Sequence, residues 1–211
     1  MTHEEFERMQ HLNVLKSLCF SDSSLYSWTF DKDNGRNPIM GKAKIYVEEW
    51  SEMVSENIGL LLWGDVGTGK TFFAACIANA LVEQGEKVKM TNFSTILNDL
   101  FQESDKNKYL DRLNYCRLLI IDDLGIERDT EYALEQVYNI IDTRYKSRKP
   151  FIVTINLTLD ELKHPTDTAH KRIYDRVLEM CVPIKFSGEN LRKQKAEFKM
   201  DAAKKLFSKE D

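Results

Sequence analysis

Apolar residues recur along this sequence in two alternating patterns, strand-length runs and helical faces. Residues 59–63, 87–91, 117–122, 151–155 and 182–186 have strand length, and 117–122 is apolar enough for a strand buried on both sides. Between them the spacing is helical. Ala43, Tyr46, Val47, Trp50, Met53 and Val54 share one face of a helix over 41–57. Helices are also predicted over 70–84, ended by Gly85, over 94–115 with a break between 102 and 108, over 130–147 and over 168–180. Pro150 separates the third of these from the next strand. Two helices flank this block. One covers 4–18, with Phe6, Met9, Leu12, Leu15 and Leu18 at spacing three, and a charged one covers 189–208. Residues 21–41, rich in Ser, Asp and Asn, form a loop that carries Trp28 and Phe30. Strands alternating with helices predict an α/β fold with a parallel sheet covered on both faces.

Composition narrows the class. The 211 residues suffice for one α/β domain and a short extension, and 42% hydrophobic with 30% charged residues is a globular balance. No apolar run approaches the roughly 20 residues of a membrane span, and the acidic N-terminus has no signal-peptide core. The expected location is the cytoplasm. Cys19, Cys76, Cys116 and Cys181 lie far apart, without zinc-ligand spacing. They are expected as buried thiols in a reducing compartment. The net charge of −4 excludes duplex binding by overall charge. A nucleic-acid contact must come from a local patch, unless the main partner is a protein.

One segment carries specific chemistry. Gly64, Asp65, Val66, Gly67, Thr68, Gly69, Lys70 and Thr71 match G-x-x-x-x-G-K-[ST], after a strand and at the opening of a helix. Glycines let the backbone wrap phosphate oxygens, and the amides with the helix N-terminus present positive charge to the anion. Lys70 is placed for the β- and γ-phosphates, and Thr71 for Mg²⁺. With Phe72, the residue after it, this segment is the predicted ATP contact. The aromatic pair Trp28 and Phe30 either pins its loop to the domain or walls the adenine ring.

Two carboxylates, Asp122 and Asp123, end the apolar run of 117–122, at the sheet edge where open parallel sheets bind ligands. Asp122 is the candidate for the Mg²⁺ shell, and Asp123 for orienting the attacking water. Asn156 ends the run of 151–155. It either reaches the γ-phosphate or caps the following turn. Arg172 and Arg176, four apart on one helix face, either stabilise charge on a phosphate, including that of a neighbouring subunit, or bridge to Asp175 or Glu179.

In this order the segments 59–71, 118–125 and 172–176, together with Ser187-Gly-Glu-Asn-Leu-Arg192, resemble an AAA+ ATPase of the DnaC/IstB-like branch. The likeness covers about residues 25–200 and is closest to DnaC-like replication proteins of Gram-positive bacteria and their mobile elements. It implies a P-loop NTPase, a three-layer αβα core with a five-stranded parallel sheet in order 5-1-4-3-2. It also implies Asn156 at the sensor position, Arg176 as arginine finger with Arg172 as alternative, and Arg192 as a cis sensor. Residues 1–40 would be an N-terminal helix and loop extension and 41–211 the ATPase core, without a separate helical lid. The implied activity is ATP hydrolysis with Mg²⁺, in an ATP-dependent homo-oligomer that places a DnaB-type helicase on single-stranded DNA. Lys106, Lys108 and Arg112, near Phe101 and Tyr109, are the preferred single-strand patch, ahead of the basic residues of 192–209. Three alternatives stand beside the loader: an IstB-type transposition helper, a small-molecule kinase, and a passive ATP-binding module.

Overall fold

The computed structural model describes residues 2–35, 37–125, 130–165, 167–188 and 190–207, without the side chains of 192, 194, 195, 202, 205 and 206. The elements run in the order α1 (His3–Cys19), α2 (Met40–Glu48), α3 (Trp50–Ser55), β1 (Gly59–Gly64), α4 (Lys70–Glu83) and β2 (Val88–Asn92). They continue with α5 (Phe93–Gln102), α6 (Lys106–Tyr115), β3 (Leu118–Leu124), α7 (Glu131–Ser147) and β4 (Phe151–Ile155). The last are α8 (Leu159–Lys163), α9 (Thr168–Met180), β5 (Cys181–Phe186) and α10 (Leu191–Phe207).

All five strands pair in parallel in the order β2-β3-β4-β1-β5, which read from the other edge is 5-1-4-3-2. Strand alternation divides the core between the two faces. Leu60, Leu62, Ile120 and Ile152 pack with α2 and α4 on one side, and Leu61, Ile121, Phe151 and Val153 pack with α5, α7 and α9 on the other. Cys19 and Cys76 belong to the first cluster, Cys116 and Cys181 to the second, and all four thiols are buried. Pro183 sits in β5, at the edge of the sheet, where proline is tolerated.

Four details differ from the sequence reading. The helix over 41–57 is two helices bent at Glu49 (φ −95°, ψ 26°). The apolar face runs on through the bend, with the Tyr46 and Trp50 rings 5.9 Å apart, so periodicity conceals it. The loop over 21–41 holds two 3-10 turns, 23–27 and 30–32, and ends where α2 begins at Met40. The short α8 was not anticipated, although its capping box is readable. The Thr158 hydroxyl accepts from the Glu161 amide, and the Glu161 carboxylate accepts from the Thr158 amide. Finally, β3 does not stop at Asp122. It continues through Asp123 to Leu124, with a register shift against β4 between Ile121 and Leu124.

Candidate active site

The phosphate-type loop leaves the C-terminal end of β1 and enters α4. Gly64 has φ +122°, and a Cβ there would lie 2.0 Å from the Phe186 carbonyl oxygen, so only glycine lets β5 come this close. Gly67 has φ +81°, and a Cβ on it would meet the Asn190 side chain at 2.2 Å. Gly69, also at positive φ, is the N-cap of α4. The Leu191 amide donates to the Gly67 carbonyl at 3.0 Å, so the start of α10 is seated on the loop.

Lys70 is buried, and its ammonium donates to the carbonyls of Gly64 and Asp65, both at 2.7 Å. The Thr68 hydroxyl also donates to the Asp65 carbonyl. Val66 is exposed at the loop tip. Phe72 turns to the other side, where its ring contacts Trp28 at 5.9 Å. Asn79, fully buried in α4, donates to the carbonyls of Leu25 and Trp28. The loop carrying Trp28 is therefore pinned to α4, the first of the two roles considered for that aromatic pair.

The acidic strand end faces the loop. Thr71 Oγ1 donates to the Asp122 carboxylate at 3.0 Å, and Thr154 Oγ1 donates to Asp122 Oδ1 at 2.7 Å. The same Thr154 oxygen accepts from the Asp123 amide at 2.8 Å. Asp123 takes a left-handed backbone, φ +58°, at the register shift, and its Oδ1 accepts from Asn156 Nδ2 at 3.2 Å. Burial pushes the Asp122 carboxyl above its ordinary range, with the Asp123 charge adding to this, while the Thr154 and Thr71 hydroxyls act against it. Thr71 and Asp122 present hard oxygen donors at one point, a pair suited to magnesium shared with phosphate oxygens.

The arginines lie elsewhere. Arg172 stacks over Tyr138, its guanidinium 4.3 Å from the ring centre, and Arg176 stacks over Tyr145 at 4.0 Å. Arg176 also pairs with Asp142 at 3.4 Å and Glu179 at 3.9 Å. These contacts join α9 to α7, so within one copy the geometry does not bring either arginine to the phosphate loop. The Arg192 side chain lies outside the described residues, and its backbone is in the first turn of α10.

In the α6 region, Lys106 donates to the Tyr132 hydroxyl at 3.1 Å, and Arg112 pairs with Glu103 and stacks on Tyr109. The Tyr109 hydroxyl donates to Asp99, while Phe101 is 84% exposed. Exposed Tyr115 and Tyr132 widen this patch. Sequence reading did not single them out, nor Thr154, Asn79 or Asn190. Thr154 had one signal. It sits two residues before Asn156, on the same side of the strand.

Comparison with known proteins identifies the family. The chain is 30% identical over 203 residues to the replicative helicase loader DnaI of Bacillus subtilis, covering 88% of this chain and 65% of DnaI. It is 28% identical over 148 residues to the replicative helicase loader DnaC of Escherichia coli K12, covering 68% of this chain and 58% of DnaC. It thus spans less than two thirds of either relative. A crystal structure of DnaI superposes with a TM-score of 0.68 at 23% identity, over 84% of this chain and 98% of that one, a likeness of fold. No helix among the described residues is long and apolar enough to cross a membrane. The model of the IstB-like ATP binding proteins matches residues 30–198, and the chain belongs to that family.

Proposed function

We propose that this chain is the ATPase core of a replicative helicase loader. It binds ATP and Mg²⁺ at residues 64–72 and 122–123, hydrolyses ATP, and assembles side by side to place a DnaB-type ring helicase on single-stranded DNA in the cytoplasm. One observation supports hydrolysis above the others: the unbroken line of hydrogen bonds from Thr71 through Asp122 and Thr154 to Asp123 and Asn156, built against the phosphate-type loop. Kinship to DnaI and DnaC supports the loader role.

Bound Mg·ATP supplies the phosphoryl group and a cation that neutralises its developing charge. The loop amides and Lys70 hold the phosphates, and Thr71 and Asp122 hold the magnesium. Asp123 takes a proton from the attacking water at its carboxylate, which Asn156 orients. Arg176, or Arg172 in its place, serves the phosphate of a neighbouring copy, trading its contacts with α7 on assembly. Arg192 serves its own copy.

The desolvated Asp122 charge has a cost that stability measurements can read. A carboxyl whose folded pKa is raised stabilises the fold at low pH and loses that contribution as pH rises through the folded value. Asp122→Asn is therefore expected to raise the Tm of nucleotide-free protein at neutral pH, with the gain vanishing on acidification below the carboxylate range. The same substitution should lower Mg²⁺-dependent turnover. Thermal melts at several pH values check the first effect, and phosphate release checks the second.

The loader role is tested with closed circles of single-stranded DNA, which a preformed ring cannot thread. The wild type with ATP is expected to deposit the DnaB-type helicase of its own organism on the circles. Joint replacement of Lys106, Lys108 and Arg112 by alanine should reduce deposition and flatten the salt dependence of single-strand binding. Deposition no better than with helicase alone would contradict the proposal. The family match also supports a second reading, an IstB-like transposition helper, which would prefer duplex over single-stranded DNA in the same binding titration.

A further inference from the structure

Thr154 lies in β4, beside the acidic end of β3, and is fully buried. Its one hydroxyl makes two bonds with opposite roles. It accepts from the backbone amide of Asp123 at 2.8 Å and donates to the side chain of Asp122 at 2.7 Å. These bonds coincide with the irregularity in the β3–β4 ladder and with the left-handed backbone of Asp123. In a regular ladder successive side chains would point to opposite faces of the sheet. Here the irregularity lets both carboxylates serve one edge, with Asp122 toward Thr71 and Asp123 toward Asn156. Both Asp122 oxygens are also within reach of Thr71, so removing the Thr154 donor frees the carboxylate to rotate about the remaining contact.

We infer that Thr154 is the positioning residue of this site, its hydroxyl holding Asp122 toward Thr71 and the Asp123 backbone in the conformation that turns its carboxylate to Asn156. The inference rests on the ATPase reading for its kinetic consequence, but not for its structural one. Supporting groups behind a metal site are commonly worth 10–100-fold, so roughly that loss in kcat is expected of Thr154→Val. KM for ATP should stay within about threefold, because the loop residues that hold the phosphates are untouched.

The test pairs two substitutions. Thr154→Val keeps the shape and the methyl group and removes the hydroxyl, whereas Thr154→Ser keeps the hydroxyl and removes the methyl. Valine is expected to lower kcat and raise the Mg²⁺ concentration needed for half-maximal rate, and serine to restore both to near wild type. A role in packing alone predicts the reverse order, and that result would overturn the inference, as would unchanged kcat in the valine variant. A second measurement needs no nucleotide. Hydrogen exchange of the Asp123 amide in free protein should be faster in Thr154→Val than in wild type or Thr154→Ser. If the wild type does not turn over ATP, the ATPase reading fails and this exchange result still decides whether Thr154 holds Asp123. Equal exchange in all three would refute it.

Discussion

Replacing Lys70 by alanine is expected to abolish ATP-dependent behaviour while leaving the fold almost as stable as before. The ammonium is held inside the loop by the carbonyls of Gly64 and Asp65, so it is oriented in advance toward the space the loop wraps. Removing a preorganised charged donor at a phosphoryl site costs on the order of 10²–10³ in rate. Stability should fall by only about 1 kcal/mol, since the two carbonyls belong to a loop that water can reach in the lysine's absence. Arginine should not rescue, because its planar fork cannot take the place of a compact ammonium between two loop carbonyls. Phosphate release at saturating ATP, beside a thermal melt, checks both halves. A variant that turns over ATP as the wild type does would remove Lys70 from the site.

The largest loss of stability is expected from Arg144, far from any nucleotide chemistry. This arginine is 1% exposed, and no carboxylate pairs with it among the described residues. Its guanidinium donates instead to the carbonyls of Pro150, Cys116 and Arg117 and to the side-chain oxygen of Asn114. Burial pushes its pKa down to about 10, still well above neutrality, so it stays charged at pH 7. The five-donor fork thus ties the end of α7 to the corner before β3 and to the corner before β4. Arg144→Ala or Arg144→Met would leave those oxygens without a donor in a buried place. The expected cost is on the order of 3–5 kcal/mol, or roughly 10 °C in Tm for a chain of this size. Arg144→Lys should recover only part of it, because one ammonium cannot span all four oxygens. A denaturant titration or melt within about 2 °C of wild type would mean that the corners reorganise without the arginine.

What was legible in the sequence follows a physical rule. The phosphate-type loop could be read because its chemistry needs glycines, lysine and threonine at contiguous positions, between a strand and a helix. The sheet edge at Asp122 and the end of β4 at Asn156 could be read because an apolar strand ending in a polar residue points to one edge of a parallel sheet. The strand order came from family likeness, since nothing local dictates which strands become neighbours. Asn79 and Arg144 were not legible, and Thr154 only through its place two residues before Asn156. The importance of all three lies in contacts with residues 31–32, 51–54 and 6–30 positions away, which their sequence neighbours do not mark. The partners of the two arginines were closer to readable. Tyr138, Asp142 and Tyr145 on α7, and Arg172, Arg176 and Glu179 on α9, share the same spacings of four and three, and the two helices join along them.

In the proposed function, Mg·ATP is hydrolysed between the loop and the acidic end of β3. Its most direct test is phosphate release by the wild type across a range of protein concentrations, with Mg²⁺ and with chelator, using Lys70→Ala as the blank. Release is expected to require Mg²⁺, to vanish in the blank, and to rise per chain with concentration as copies assemble. Wild-type release no faster than the blank at every concentration would contradict it and leave a site that binds ATP without turning it over.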